Sequence, residues 1–154
     1  MEQNVNSLLM VSEIELVYKP KIKPSERLKI TSSKTAYEIF LDGWDKGSIE
    51  FYEQFKIMLL NKACKVLGVI TISRGGIDGT FVDLKLVFGT AIKAGASNII
   101  LAHNHPSGNL RPSHPDINLT RKLVTAGKIL EVQIIEHLII TSEGYYSFAD
   151  EGLI

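Results

Sequence analysis

Apolar and polar positions between residues 30 and 148 switch repeatedly between two periods. Alternating or continuous apolar runs at 55–60, 66–73, 98–102 and 132–140 predict strands, with a last short strand at 145–148. Helical spacing recurs around and between them. Ala36, Ile39 and Phe40 predict a helix opened by Ser32 or Ser33 and running to about Leu41. Leu84, Phe88, Ala91 and Gly95 predict a second, opened by Asp83, and Leu119, Leu123, Ala126 and Leu130 a third, beginning at Ser113. A turn at 61–65 makes a hairpin of the first two strands, and 74–80, with three glycines, reads as a loop. This succession predicts an α/β (α+β) domain with a mixed sheet flanked by helices.

Residues 1–30 have a different texture. Positions 11–18 alternate as a short edge strand would, and Lys19-Pro-Lys-Ile-Lys-Pro then breaks regular structure. The expected organisation is an N-terminal arm over 1–30 and one domain over 31–154. The arm carries Lys19, Lys21, Lys23, Arg27 and Lys29 against Glu26, a patch that could meet phosphates. Over the whole chain, 17 basic and 17 acidic side chains cancel, so no general attraction to nucleic acid is expected. The single cysteine, Cys64, excludes an internal disulfide and fits a reducing compartment. Residues 1–10 lack the pattern of a signal peptide, and no apolar run approaches the roughly 20 residues of a membrane span. A cytoplasmic protein without a membrane partner is expected. A homodimer through the arm stays open.

The chemistry concentrates in residues 103–116, His-Asn-His-Pro-Ser-Gly-Asn-Leu-Arg-Pro-Ser-His-Pro-Asp. His103 ends a buried strand, and His105 can point to the same side if the backbone stays extended. Asp116, in the first turn of the next helix, can swing its carboxylate back toward both. Two imidazoles and a carboxylate are a usual ligand set for a zinc that keeps one position for water and lowers the pKa of that water to about 7. Hydrolysis also needs a general base; Glu53, just before the first core strand, is the first choice and Glu50 the runner-up. Ser113 could donate its hydroxyl to a polarised carbonyl oxygen. Ser113-x-x-Asp116 is equally a capping box, whatever else it does. His114 is expected at the exposed helix start, His137 as a strand residue near core or site, and Cys64 as inert. Trp44 and the tyrosines read as packing or surface residues. A zinc deaminase would need a Glu two residues after its His and a Cys-x-x-Cys, and the chain has neither.

His103-x-His105-Pro-Ser-Gly with Ser113 and Asp116 resembles the JAMM (JAB/MPN) metalloprotease signature. Ser73-Arg-Gly-Gly-Ile-Asp-Gly-Thr, Ile99-Ile-Leu-Ala-His-Asn-His-Pro-Ser-Gly and His137-Leu-Ile-Ile resemble its RadC branch, over about residues 50–154. The resemblance implies a cytidine-deaminase-like mixed sheet between helices and one Zn2+ held by His103, His105 and Asp116. It further implies Ser113 as transition-state stabiliser and Glu53, in a Glu-x-Phe at the first core strand, as base. The substrate class implied is a peptide or isopeptide bond in a protein. Full-length RadC proteins carry a helical DNA-binding-type segment before this domain, where this chain has the short arm, so it looks closest to short stand-alone bacterial forms. The inherited link to DNA repair is correspondingly weakened. A nucleic-acid-associated accessory protein, using the domain as a scaffold, is the alternative.

Overall fold

The computed structural model describes residues 11–75 and 81–154. The order of elements is α1 (Ser33–Asp42), β1 (Gln54–Leu60), β2 (Val66–Arg74), α2 (Leu84–Lys93), β3 (Asn98–Asn104), α3 (His114–Leu130), β4 (Gln133–Ile140) and β5 (Tyr145–Ser147). The strands form one sheet in the order β2-β1-β3-β4-β5. β3 and β4 are parallel, joined by α3 as crossover, and the other neighbours are antiparallel. The mixed α+β architecture read from the sequence is the one observed.

Side chains alternate across the sheet and split the core into two layers. Phe55, Ile57, Leu59, Ile99 and Leu101 face α2 and α3, where Val87, Phe88, Ala91 and Leu123 meet them. Met58, Leu60, Ile100, Ala102, Leu138 and Ile140 face the other way, against Ala36, Phe40 and Trp44. Central strands covered on both faces explain the continuous apolar run at 98–102. The register of β4 against β3 slips between Ile99, opposite Ile134, and Ile100, opposite Glu136. Ile135 is the extra residue of a bulge, which puts His137 on the same side of the sheet as Ile134. Glu136, on the opposite side, accepts from the His137 and Ala149 backbone N–H groups and from the Ser147 hydroxyl, pinning β5 and the turn after it.

The return from α3 to β4 is tight. Glu131 caps the helix in the left-handed region (φ 58°), and the Val132 N–H donates to the Gly127 carbonyl at 3.0 Å. A Cβ on Gly127 would lie 2.4 Å from the Val132 carbonyl oxygen. Gly127→Ala gains up to about 1 kcal/mol of helix propensity. It also drives a methyl against a backbone oxygen, so the tight return itself must shift. We expect a net loss of about 1–3 kcal/mol, read as a lower urea midpoint.

Three expectations need adjusting. The strand predicted at 11–18 does not form: these residues join no ladder, and Val11, Ile14 and Leu16 are exposed. Alternation alone cannot make a strand without a partner edge. What the segment contributes is the Tyr18 hydroxyl, which donates to the Leu67 carbonyl at 2.9 Å, and further on Lys29 bridges Lys65. Gly95 is not a rung of α2 but its stop, at φ 67° two residues beyond the last helical residue. The loop at 74–80 starts later than expected, because β2 runs through Arg74; 76–80 lie outside the described residues.

Candidate metal centre

β3 carries two residues further than its apolar run, to Asn104, and delivers His103, side by side with Phe55 of β1 and Ile139 of β4, at 1% exposure. His105 follows just past the strand end, where its N–H still donates to the Ile140 carbonyl at 3.1 Å, so the backbone stays aligned with the sheet. Asp116 is the third residue of α3. Ser113 caps that helix in a full capping box: the Asp116 N–H donates to Ser113 Oγ (3.1 Å) and the Ser113 N–H to Asp116 Oδ2 (2.8 Å). One residue thus starts the helix and points back across the strand ends.

His103 Nε2 lies 3.0 Å from His105 Nε2, and the two are 3.3 Å and 3.4 Å from Asp116 Oδ1 and Oδ2. Ligands 2.0–2.1 Å from a tetrahedral zinc stand roughly 3.3 Å apart. The observed separations fit a single first-row cation, and these three residues form a group that could hold one. The donor set fits as well. His105 Nδ1 sits 2.5 Å from the Asn109 carbonyl, which can only accept, so that nitrogen carries a proton and Nε2 faces the centre.

The electrostatics are those of a place prepared for positive charge. Burial pushes the Asp116 carboxyl up, but hydrogen bonds from His103 and His105, the charge of His103 and the Ser113 N–H outweigh it and hold the group well below the usual carboxylate range. Burial pulls His105 down, and its bonds to Asp116 and Asn109 more than compensate, raising it. His137 is fully buried, and burial together with the neighbouring His103 keeps it neutral.

Glu53 is half-buried one residue before β1. Burial raises its carboxyl and Asp116 adds to the rise, while His103 and His105 pull the other way, so it shares the field of the three ligands. Among the described residues its side chain makes no hydrogen bond. Glu50 instead points to the surface, where its carboxylate accepts from Ser142 Oγ at 2.6 Å. Ser113 is exposed at the start of α3, its oxygen accepting the cap bond and its hydroxyl proton left to donate. His114 is exposed and stands outside the group. A pocket of about 150 Å³ opens beside His105, between Pro106–Gly108 and Thr141–Glu143, with Glu50 on its rim.

Two residues here, Asn104 and Thr120, were not anticipated from sequence, and His137, expected on a strand near core or site, lies on β4 against a ligand. Asn104, wholly buried, accepts from the Gln54 N–H (2.7 Å) and donates to the carbonyls of Ile49 (2.8 Å) and Tyr52 (3.0 Å), lashing the segment that carries Glu53 to the strand that carries His103. His137 Nε2 lies 2.7 Å from His103 Nδ1, and Thr120 Oγ1 lies 2.6 Å from His137 Nδ1. For Thr120 a signal existed, since it stands four residues after Asp116 on the same helix face.

A five-stranded mixed sheet that presents two histidines and a helix-capping aspartate at the end of its parallel pair defines an α+β domain with a candidate metal centre. The chain belongs to the RadC-like JAB domain family, whose model matches residues 30–153. It is 45% identical to a UPF0758 protein of Flavobacterium johnsoniae over 94% of this chain and 62% of the relative. The corresponding protein of Porphyromonas gingivalis is 40% identical over 88% of this chain and 59% of its own length. The chain therefore spans about three fifths of the length of these relatives. Among the described residues, no helix is long and apolar enough to cross a membrane.

Proposed function

We propose that the chain is a zinc-dependent hydrolase of the JAMM type, cutting a peptide or isopeptide bond in a protein substrate. The observation that carries this reading is the convergence of His103 Nε2, His105 Nε2 and the Asp116 carboxylate on one point, with the Glu53 carboxylate in the same field. Held by these three residues, zinc supplies a Lewis acid that acidifies water and polarises a carbonyl. Glu53 takes the proton of the attacking water and returns it to the departing amine; a raised carboxyl suits both halves of that task. In this reading the Ser113 hydroxyl donates to the oxygen on which negative charge develops.

The test is a zinc titration of metal-free protein followed by exposure of the loaded form to a peptide library. One ion per chain and cleavage that a chelator stops are expected. No uptake, or cleavage indifferent to chelator, would end the proposal. Nucleic acid is the second reading: Lys19, Lys21 and Arg27 line a groove of about 320 Å³ beside β2.

A further inference from the structure

The zinc reading leaves two buried polar side chains without a task, Thr120 and His137. Both are almost fully enclosed, at 1% and 0% exposure, and each touches the ligand set. Thr120 Oγ1 is 2.7 Å from the Asp116 main-chain carbonyl and 2.6 Å from His137 Nδ1, and His137 Nε2 is 2.7 Å from His103 Nδ1. The ring of His137 is clamped between Phe148, stacked at 4.5 Å, and the edge of Phe55 at 5.6 Å, so it cannot turn to change partners.

Proton counting fixes the direction of this chain. A carbonyl only accepts, so the single Thr120 hydroxyl proton points to Asp116, and the Thr120 oxygen must accept from His137 Nδ1–H. A neutral imidazole has one N–H, which leaves His137 Nε2 with a lone pair. That lone pair accepts from His103 Nδ1–H, so that whenever the His103 ring is neutral its own lone pair falls on Nε2, the atom facing His105 and Asp116. In the reverse arrangement Thr120 donates to His137, His137 donates to His103, and His103 Nε2 carries a proton that excludes a cation.

We propose that Thr120 and His137 are positioning residues that impose the ligating tautomer on His103 and tie it, through the Asp116 carbonyl, to the helix turn carrying the second ligand element. The inference rests on the metal reading above. Outer partners of metal-bound histidines commonly contribute 10–100-fold in affinity. Here the partner is a second histidine rather than a carboxylate, so the ligand set gains no extra negative charge.

The experiment compares wild type, Thr120→Val and Thr120→Ser by zinc titration against a competing chelator. Imidazole ¹H–¹⁵N correlation spectra of the metal-free wild type are recorded alongside. We expect His103 in the Nδ1–H form, Thr120→Val weaker for zinc by roughly 10–100-fold, and Thr120→Ser close to wild type, because the hydroxyl and not the methyl is needed. The metal-free melting temperature of Thr120→Val should fall by several degrees, since the buried His137 Nδ1–H loses its acceptor, whereas Thr120→Ser keeps it. Wild-type affinity in Thr120→Val, or an Nε2–H tautomer for His103, would overturn the inference alone. Absence of zinc binding by wild type would overturn the metal reading with it. If Thr120→Val does not fold, the wild-type tautomer decides.

Discussion

Glu53→Gln is expected to keep its zinc and lose its hydrolysis. The side chain stands outside the three-atom ligand group, so uptake measured by titration should match wild type. Glutamine cannot accept the proton of water at neutral pH, and removal of a positioned general base costs about 10²–10⁴-fold in rate. Glu50→Gln serves as the matched control: its carboxylate is engaged with Ser142 at the surface, and the variant should turn over as wild type does. Equal activity in Glu53→Gln would remove Glu53 from the mechanism, and a joint loss of zinc would make it a ligand or a structural group instead.

Asp116→Asn should do the opposite, abolishing uptake while leaving a folded chain. The amide can still accept the Ser113 N–H, so the capping box survives in part, whereas the charge that draws the cation is gone. The affinity loss should exceed the roughly 10–100-fold typical of an outer partner. The same variant should also change how metal-free protein responds to pH. Asp116 is held below its unfolded value of about 3.9, so its contribution is present above that pH and fades as pH falls through the folded value. His105 is raised, so its share is complete below about 6.5 and is lost as pH climbs through the folded value. Metal-free wild type should therefore be stabilised by this pair between about pH 4 and 6.5, and Asp116→Asn should flatten that window in a series of urea melts. Zinc uptake by wild type should run the other way, strengthening with pH as His105 gives up its proton.

Much of this architecture was readable in the chain. The strands at 55–60, 66–73 and 98–102 and the three helix starts at Ser32, Asp83 and Ser113 emerge where periodicity and capping residues place them, because burial and local hydrogen bonding act together there. The convergence of His103, His105 and Asp116 was legible for a similar reason. All three lie within one strand–loop–helix unit, whose geometry short-range rules constrain. What escaped depends on contacts between distant elements. The face that His137 presents is set by the bulge at Ile135, a matter of pairing with β3 that β4 does not announce by itself. Asn104 has no meaning until the backbone of Ile49, Tyr52 and Gln54 is beside it. The strand expected at 11–18 failed for the complementary reason: the pattern was present and the neighbour was not.

The spacing of the ligands along the chain has an evolutionary consequence. Fourteen consecutive residues, from His103 to Asp116, carry all three proposed ligands, while the group proposed to move protons sits some fifty positions upstream on a separate segment. On the proposed mechanism, drift at position 53 would therefore silence turnover without disturbing the ligand group. Descendants of such a chain would persist as inert zinc carriers whose intact His-x-His signature no longer vouches for an enzyme.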